Sequence, residues 1–169
     1  VTEGVQAFGV MACLKHFALN SMENARFKVD VTCAERTLRE VYLPHFKRCV
    51  DAGVGAIMSA YNRLNGAYCG HNPTLLTTIL KEEWGFEGFV YSDFILGCRG
   101  ADAFAAGMDV EAPDTIHFGP KLAAAVAQGK VGEDRVDDGV TRVLRSLFRV
   151  ASAPDPETYG PEAVACDAH

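Results

Sequence analysis

The chain has 169 residues, of which 49% are hydrophobic and 22% are charged, and its formal net charge is −6 at pH 7. This size and composition predict a globular chain with a sizeable core and exclude a disordered one. Acidic residues outnumber basic ones by 22 to 16, which argues against nucleic acid or an anionic membrane surface as a partner. No apolar run approaches the ~18 residues of a membrane span. A neutral or cationic small molecule is the partner that fits best.

The six cysteines are scattered along the chain, without a Cys-x-x-Cys pair or a Cys/His cluster at zinc-ligand spacing. The pattern therefore predicts no metal site, and no cofactor is expected. We interpret the cysteines as reduced thiols, which slightly favours a cytoplasmic protein, although structural disulfides remain open if the protein is exported. The positions are Cys13, Cys33, Cys49, Cys69, Cys98 and Cys166.

Short apolar runs alternate with helical patterns along the chain. Four runs predict buried strands, at residues 10–17, 54–60, 89–94 and 107–111. The spacing of apolar residues predicts helices at residues 32–53, 73–84, 100–106, 120–128 and 133–148. Because strand-then-helix units follow one another, the expected fold is α/β with a parallel sheet.

Local signals add detail to the first and last of these helices and predict one turn. Thr32 and Glu35 form a capping box that predicts the start of the first helix, and Pro44 inside that helix predicts a kink or a restart. Asn65-Gly66 predicts a tight turn. The last helix has an apolar stripe that is expected to face the core, formed by Val136, Val140, Val143, Leu144 and Leu147.

Four strand–helix units amount to half of an eight-stranded barrel. Half a barrel leaves two parallel edges unpaired, so the chain is either an open sheet or a fragment. The abrupt first residue, Val1, and the unterminated Pro-rich end favour a fragment in which residues 1–150 form the half-barrel. Residues 151–169 cannot hold a regular element and are interpreted as a linker.

Every predicted strand ends in polar side chains. The first ends in Lys15 and His16, the second in Tyr61, the third in Asp93, and the fourth in Asp109 and Glu111. Strand ends of this kind converge on one mouth in a barrel. Each residue also has a structural alternative: a satisfied core position for His16 or Tyr61, a surface position for Lys15, a helix cap for Asp93. Their coincidence at strand ends instead favours a site for a polyhydroxylated substrate, with the carboxylate attacking or stabilising positive charge.

Ordered motifs from about residue 10 to residue 150 resemble glycoside hydrolase family 3. They are Lys15-His16-Phe17-Ala18 followed by Asn20, Glu23 and Arg26; Met58-Ser59-Ala60-Tyr61-Asn62 followed by Asn65-Gly66; the run from Trp84-Gly85-Phe86 to Tyr91-Ser92-Asp93; and Ala106-Gly107-Met108-Asp109. The resemblance implies a retaining, exo-acting β-glycosidase, typically a β-glucosidase, whose first domain is a TIM-type (β/α)8 barrel. This chain would be the second half of that barrel.

The resemblance also implies residue roles. Asp93 falls on the family's nucleophile, and Lys15 and His16 fall on the pair that holds sugar hydroxyls in the terminal subsite. Arg26 falls on an arginine lining that subsite, and Tyr61 on the tyrosine beside the nucleophile. The acid/base Glu usually comes from a second, α/β sandwich domain, so residues 151–169 would lead towards it. The expected partners are a carbohydrate substrate and the remaining parts of the protein's own chain, and the isolated fragment is expected to be inactive.

Two departures and two rival functions bear on this interpretation. Phe94 stands where β-glucosidases often have Trp, so the identity of the sugar stays open. The loop at residues 18–22 lacks the Pro-Gly-His-Gly sequence of the N-acetylglucosaminidase branch, which excludes that branch. A Schiff-base, aldolase-like barrel would use Lys15 as its nucleophile. A non-catalytic sugar-binding remnant would not require the bare carboxylate of Asp93.

Overall fold

The computed structural model describes residues 1–151. The strands are β1 (Cys13–Phe17), β2 (Asp30–Val31), β3 (Ala56–Ser59), β4 (Arg63–Leu64), β5 (Ala67–Tyr68) and β6 (Phe89–Tyr91). The α-helices are α1 (Thr2–Gln6), α2 (Glu35–Thr37), α3 (Pro44–Asp51), α4 (Asp102–Ala105), α5 (Pro120–Ala127) and α6 (Glu133–Ala151). Two π-helical segments, Leu38–Tyr42 and Thr74–Glu83, and a 3₁₀ turn, Cys69–His71, complete the described elements. The predicted linker, apart from its first residue, lies outside the described residues.

The central sheet is parallel, as the sequence predicts, with the order β1-β3-β6. Strand β3 is the middle strand and all four of its residues are buried, Ser59 included, as is expected of a central strand in a parallel sheet. The predicted fourth strand is shorter than expected: it is reduced to one parallel bridge between Tyr91 and Val110. The strand ends still follow in the predicted order along one edge.

A second, small sheet lies beside the first. Strand β2 pairs in parallel with β4, and β4 pairs antiparallel with β5. The predicted turn joins β4 and β5, with positive φ angles of 51° at Asn65 and 91° at Gly66, as a two-residue hairpin turn requires. Asn65 also accepts the Cys33 N–H through Oδ1 and donates to the Cys33 carbonyl through Nδ2, both at 2.9 Å.

The first long helix is interrupted at the expected place and starts later than expected. Pro44 is the first residue of α3, after a break at Leu43, because proline removes the N–H that a continuous helix would need. The predicted capping box is wrong: Ala34 precedes α2, and no side chain caps its first turn. The Cys33 backbone is already bound by the Asn65 side chain, so the chain enters the helix only after leaving the small sheet.

Helix α6 turns part of its polar face towards the sheet. Ser146 Oγ donates to the carbonyl of Gly55 at 3.3 Å, and Arg142 Nη1 donates to the carbonyls of Phe86 and Gly88. The prediction of a buried apolar stripe is therefore only partly correct. Val136 packs against the core, whereas three other members of the stripe are about half exposed, namely Val140, Leu144 and Leu147. No helix within residues 1–151 combines the length and apolar character needed to span a bilayer.

Candidate active site

Asp93 lies two residues beyond β6, at the edge where the parallel strands end. The residue is 9% exposed, and its Oδ1 accepts the N–H of Phe94 at 2.7 Å. Its Oδ2 is buried and accepts no hydrogen bond from the described part of the chain. No helix begins at Asp93, since the next one, α4, starts at Asp102. One carboxylate oxygen is thus held in place and the other is left bare.

The backbone around Asp93 is fixed by tight packing. Gly97 donates its N–H to the carbonyl of Asp93 at 3.1 Å, and a Cβ at Gly97 would overlap the backbone N and O of Asp93. On the other side, Ser92 Oγ accepts the N–H of Ala112 at 2.9 Å and donates to the Ala112 carbonyl at 3.2 Å. The carboxylate therefore projects from a rigid strand end.

A row of side chains leads from Asp93 to Arg26. His16 Nε2 lies 3.6 Å from Asp93 Oδ2, and the His16 ring centroid lies 6.4 Å from that of Tyr61. Tyr61 packs against Phe27, with 4.9 Å between centroids. The Arg26 guanidinium carbon lies 5.6 Å from the Tyr61 ring centroid and 4.8 Å from that of Phe27. Four of the five site residues predicted from the sequence are therefore connected: Asp93, His16, Tyr61 and Arg26.

Lys15, the fifth predicted residue, is exposed on β1. Its ammonium group makes no hydrogen bond or ion pair with residues 1–151. The Lys15-His16 and Phe17-Ala18 peptide bonds are cis, and the pairing of β1 with β3 shifts register between Leu14 and Phe17. The Lys15 side chain thus stands apart from the row that connects the other four predicted residues.

Asp109 corrects a prediction: its carboxylate does not belong to the mouth. Lys81 Nζ lies 2.8 Å and Arg135 Nη2 lies 2.6 Å from its Oδ1, and its Oδ2 accepts the N–H of Val90 at 2.8 Å. The side chain of Asp109 is fully buried. Both oxygens are saturated by charged donors and backbone, which makes Asp109 a structural anchor beneath β6.

Glu111, the other carboxylate predicted at the fourth strand end, is also occupied. It accepts the N–H of His117 through Oε2 at 2.8 Å and through Oε1 at 3.1 Å, and it accepts the N–H of Phe118 at 2.7 Å. These bonds close the loop between Glu111 and Phe118. Of the three carboxylates that follow the third and fourth predicted strands, only Asp93 has an oxygen without a hydrogen-bond donor among the described residues.

Burial shifts the proton affinity of several groups outside this row. It lowers the pKa of Lys81 to about 8 from an ordinary 10.5, because the charged amine loses its hydration. Burial also raises the pKa of the Cys13 thiol and the pKa of Tyr91, whose hydroxyl lies 3.0 Å from Cys13 Sγ. Cys13 and Tyr91 are therefore neutral near pH 7 and are poor nucleophiles. Within residues 1–151, no three His, Cys, Asp or Glu side chains lie close enough together to hold a metal ion.

Sequence reasoning missed three residues at this edge. Phe27 completes the row between Tyr61 and Arg26, and its only signal was an aromatic residue beside a predicted site arginine. His71 and Arg99 lie 28 positions apart in the sequence and are joined by a hydrogen bond of 3.0 Å. Nothing in the local pattern of either residue indicates the other.

The fold and the site together define a class: a parallel α/β protein with its candidate chemistry at the carboxyl ends of the strands. The family model described as "Glycosyl hydrolase family 3 N terminal domain" matches residues 1–146. The chain therefore belongs to glycosyl hydrolase family 3, which confirms the resemblance found in the sequence.

Relatives and solved structures agree with this assignment. The chain is 47% identical over 157 residues to a β-glucosidase of Rhizobium radiobacter, covering 90% of this chain and 19% of that protein. It is 44% identical to thermostable β-glucosidase B of Acetivibrio thermocellus, covering 86% of this chain and 20% of that protein. The crystal structure of a Bifidobacterium adolescentis family 3 β-glucosidase has a TM-score of 0.88 at 32% identity, over 96% of this chain and 24% of that one. The chain spans about a fifth of the length of the relatives it matches.

Proposed function

We propose that this chain is the second half of the (β/α)8 barrel of a retaining, exo-acting β-glycosidase that removes terminal β-linked sugars, most similar to a β-glucosidase. Family membership and the β-glucosidase relatives support the reaction class. The chain spans only about a fifth of the length of those relatives, which supports the proposal that it is part of a longer enzyme. Residues 151–169 then lead to a second, α/β sandwich domain.

The observation that carries the proposal is the bare Oδ2 of Asp93. In the proposed mechanism this oxygen attacks the anomeric carbon while the leaving oxygen takes a proton from an acid, which produces a covalent glycosyl ester. Water then attacks the same carbon with the help of the conjugate base and frees Asp93. Retention requires the second carboxyl group ~5 Å from the first. Asp109 and Glu111 are occupied by their own donors, and we propose that the acid/base is a Glu of the second domain.

The neighbours of Asp93 would hold the sugar. His16, 3.6 Å from the bare oxygen, and the exposed Lys15 supply donors to hydroxyl groups, and hydroxyl contacts strengthen as the ring flattens in the transition state. Tyr61 and Arg26 contact each other further along the same row of side chains. In this proposal Asp93 attacks the sugar and the other four residues bind it.

Hydrolysis of aryl β-glucosides by the full-length protein tests the proposal. We expect turnover with the β-anomer of the sugar as the first product by NMR, because two displacements restore the configuration. A first product of α configuration would refute the retaining mechanism. Absence of turnover on any aryl β-glycoside, together with retained sugar binding, would instead support a binding remnant. The isolated chain of 169 residues should be inactive, since it lacks the acid/base.

A further inference from the structure

Arg99 connects three segments at the edge where Asp93 lies. It belongs to the loop that follows Asp93, and its backbone N–H donates to His71 Nε2 at 3.0 Å. Its guanidinium carbon lies 3.9 Å from the ring centroid of Tyr68, at the end of β5. Its Nη2 donates to the carbonyl of Phe27 at 3.3 Å. One side chain thus spans the Asp93 loop, the small sheet and the loop that contains Arg26.

The hydrogen bonds of His71 indicate which of its ring nitrogens accepts and which donates. A backbone N–H is always a donor, so Nε2 of His71 must accept and carries no proton. Nδ1 then carries the proton and donates to Asp102 Oδ2 at 3.0 Å. His71 therefore anchors the backbone of Arg99 to the 3₁₀ turn after β5 and to the start of α4. This anchor leaves the Arg99 side chain pointing across the edge towards Phe27.

The loop that receives this bond is held within itself by local turns. Residues 23–28 contain no strand or helix, Ala25 has a positive φ of 53°, and the backbone bonds from Arg26 to Glu23 and from Lys28 to Ala25 span only three residues each. Arg26 pairs only with Glu23 of the same loop, at 3.0 Å. Phe27 and Arg26 contact Tyr61 through their rings and guanidinium. The carbonyl of Phe27 is the point where a segment distant in sequence holds this loop by a charged donor.

We propose that Arg99 is a positioning residue, which holds the Arg26 loop against the Asp93 loop and thereby orders the sugar-binding side of the site. This inference rests on the proposed function for the role of Arg26. A guanidinium is suited to the task because its planar face can stack on Tyr68 while its edge donates to a carbonyl. Tyr68 receives a second guanidinium, that of Arg63, at 4.4 Å from its centroid, which keeps the ring in place.

Arg99→Met in the full-length protein tests the inference. We expect kcat/KM on an aryl β-glucoside to fall at least tenfold, mainly through a higher KM, because Arg26 is no longer held where it meets the sugar. Arg99→Lys should recover little, since an ammonium does not offer a planar face together with an edge donor. The matched control is Arg36→Met, which removes an exposed arginine paired only with Glu40 and should leave both constants unchanged.

A double-mutant cycle separates positioning from general stability. If Arg99 acts through Arg26, then Arg26→Ala combined with Arg99→Met should be no slower than Arg26→Ala alone. Additive losses would overturn the proposal. Hydrogen exchange supplies a readout that does not need turnover: Arg99→Met should speed exchange of amides in residues 20–30 and leave those of α6 unchanged. Unchanged exchange in residues 20–30 would refute the positioning role of Arg99 even if the protein proved not to be a glycosidase. Faster exchange in the variant, together with a wild type that hydrolyses no aryl β-glycoside, would reject only the proposed function.

Discussion

Asp93, two residues beyond β6, and Asp109, beside the bridge that joins Tyr91 to Val110, are both nearly buried carboxylates, 9% and 7% exposed, yet their surroundings are opposite. Asp109 is bound by Lys81, Arg135 and the backbone of Val90. Asp93 has one oxygen on the N–H of Phe94 and one oxygen without a donor, facing His16. A satisfied buried carboxylate stabilises a fold, whereas a carboxylate oxygen without a donor in a rigid frame is available for chemistry. The partners, and not the position in the sequence, distinguish the two.

The largest expected effect is on turnover at Asp93. Asp93→Asn in the full-length enzyme should reduce kcat by roughly a thousandfold or more, because the amide cannot form the glycosyl ester. Circular dichroism should remain that of the wild type, since the Asp93 side chain contributes little packing. Asp51→Asn, at an exposed site on α3 paired with Lys47, is the control and should retain activity. Near-normal turnover of Asp93→Asn would reduce Asp93 to a structural residue.

The opposite result is expected at Asp109. Asp109→Asn should lower the free energy of unfolding by about 3 kcal/mol, because Lys81 and Arg135 would lose their one fully buried counter-charge and keep only the partly exposed carboxylate of Asp138. Denaturant unfolding of the full-length protein, followed by a probe in the barrel, measures the loss. The same Asp51→Asn control should change stability by no more than ~0.5 kcal/mol. If Asp109→Asn folds with normal stability but loses turnover, the two carboxylates have been assigned the wrong roles.

A smaller effect is expected on the pH dependence of stability, and it arises from Lys81, the buried partner of Asp109. Burial lowers the pKa of Lys81 to about 8, below its ordinary 10.5. Between these values the unfolded chain binds more protons than the folded one, so stability contributed by this group rises with pH through that window. Relative to Lys81→Met, the wild type should gain on the order of 1–3 kcal/mol of unfolding free energy between pH 7.5 and pH 10.

Thermal or denaturant unfolding of wild type and Lys81→Met over that pH range provides the measurement. Lys47→Met, which removes an exposed lysine at the surface of α3, is the matched control and should show no such gain. A wild type that loses stability relative to Lys81→Met as pH rises would mean that the pairing with Asp109 outweighs the burial of the amine.

Much of the fold could be predicted because the informative signals are local. The runs that became β1, β3 and β6 are mostly apolar, with polar residues only near the ends of β1 and β3, and the turn at Asn65-Gly66 needs only its two residues. The capping box at Thr32 failed because Asn65, 32 positions beyond Cys33, had already bound the Cys33 backbone. The apolar stripe of α6 failed in part because strand-entrance carbonyls such as that of Gly55 attract the helix's polar side chains.

The candidate site, like the fold, could be predicted only where the signals are local. Placement of Asp93, His16 and Tyr61 at strand ends followed from the alternation of elements, and the structure brings these residues together. The roles given to them and to Lys15 and Arg26 stay predictions. The occupation of Asp109 could not be predicted, because Lys81 and Arg135 approach it from elements 28 and 26 positions away. Long-range partners of this kind leave no mark on the sequence around a residue.

Trapping of the covalent intermediate tests the central claim most directly. A 2-fluoro-β-glucoside with a good leaving group forms the glycosyl ester and releases it slowly, because the fluorine destabilises both transition states. After incubation with the full-length protein, mass spectrometry of peptides should show one added 2-fluoroglucosyl group between Gly88 and Arg99, on Asp93. A label on Asp109 or Glu111 would contradict the assignment of the nucleophile.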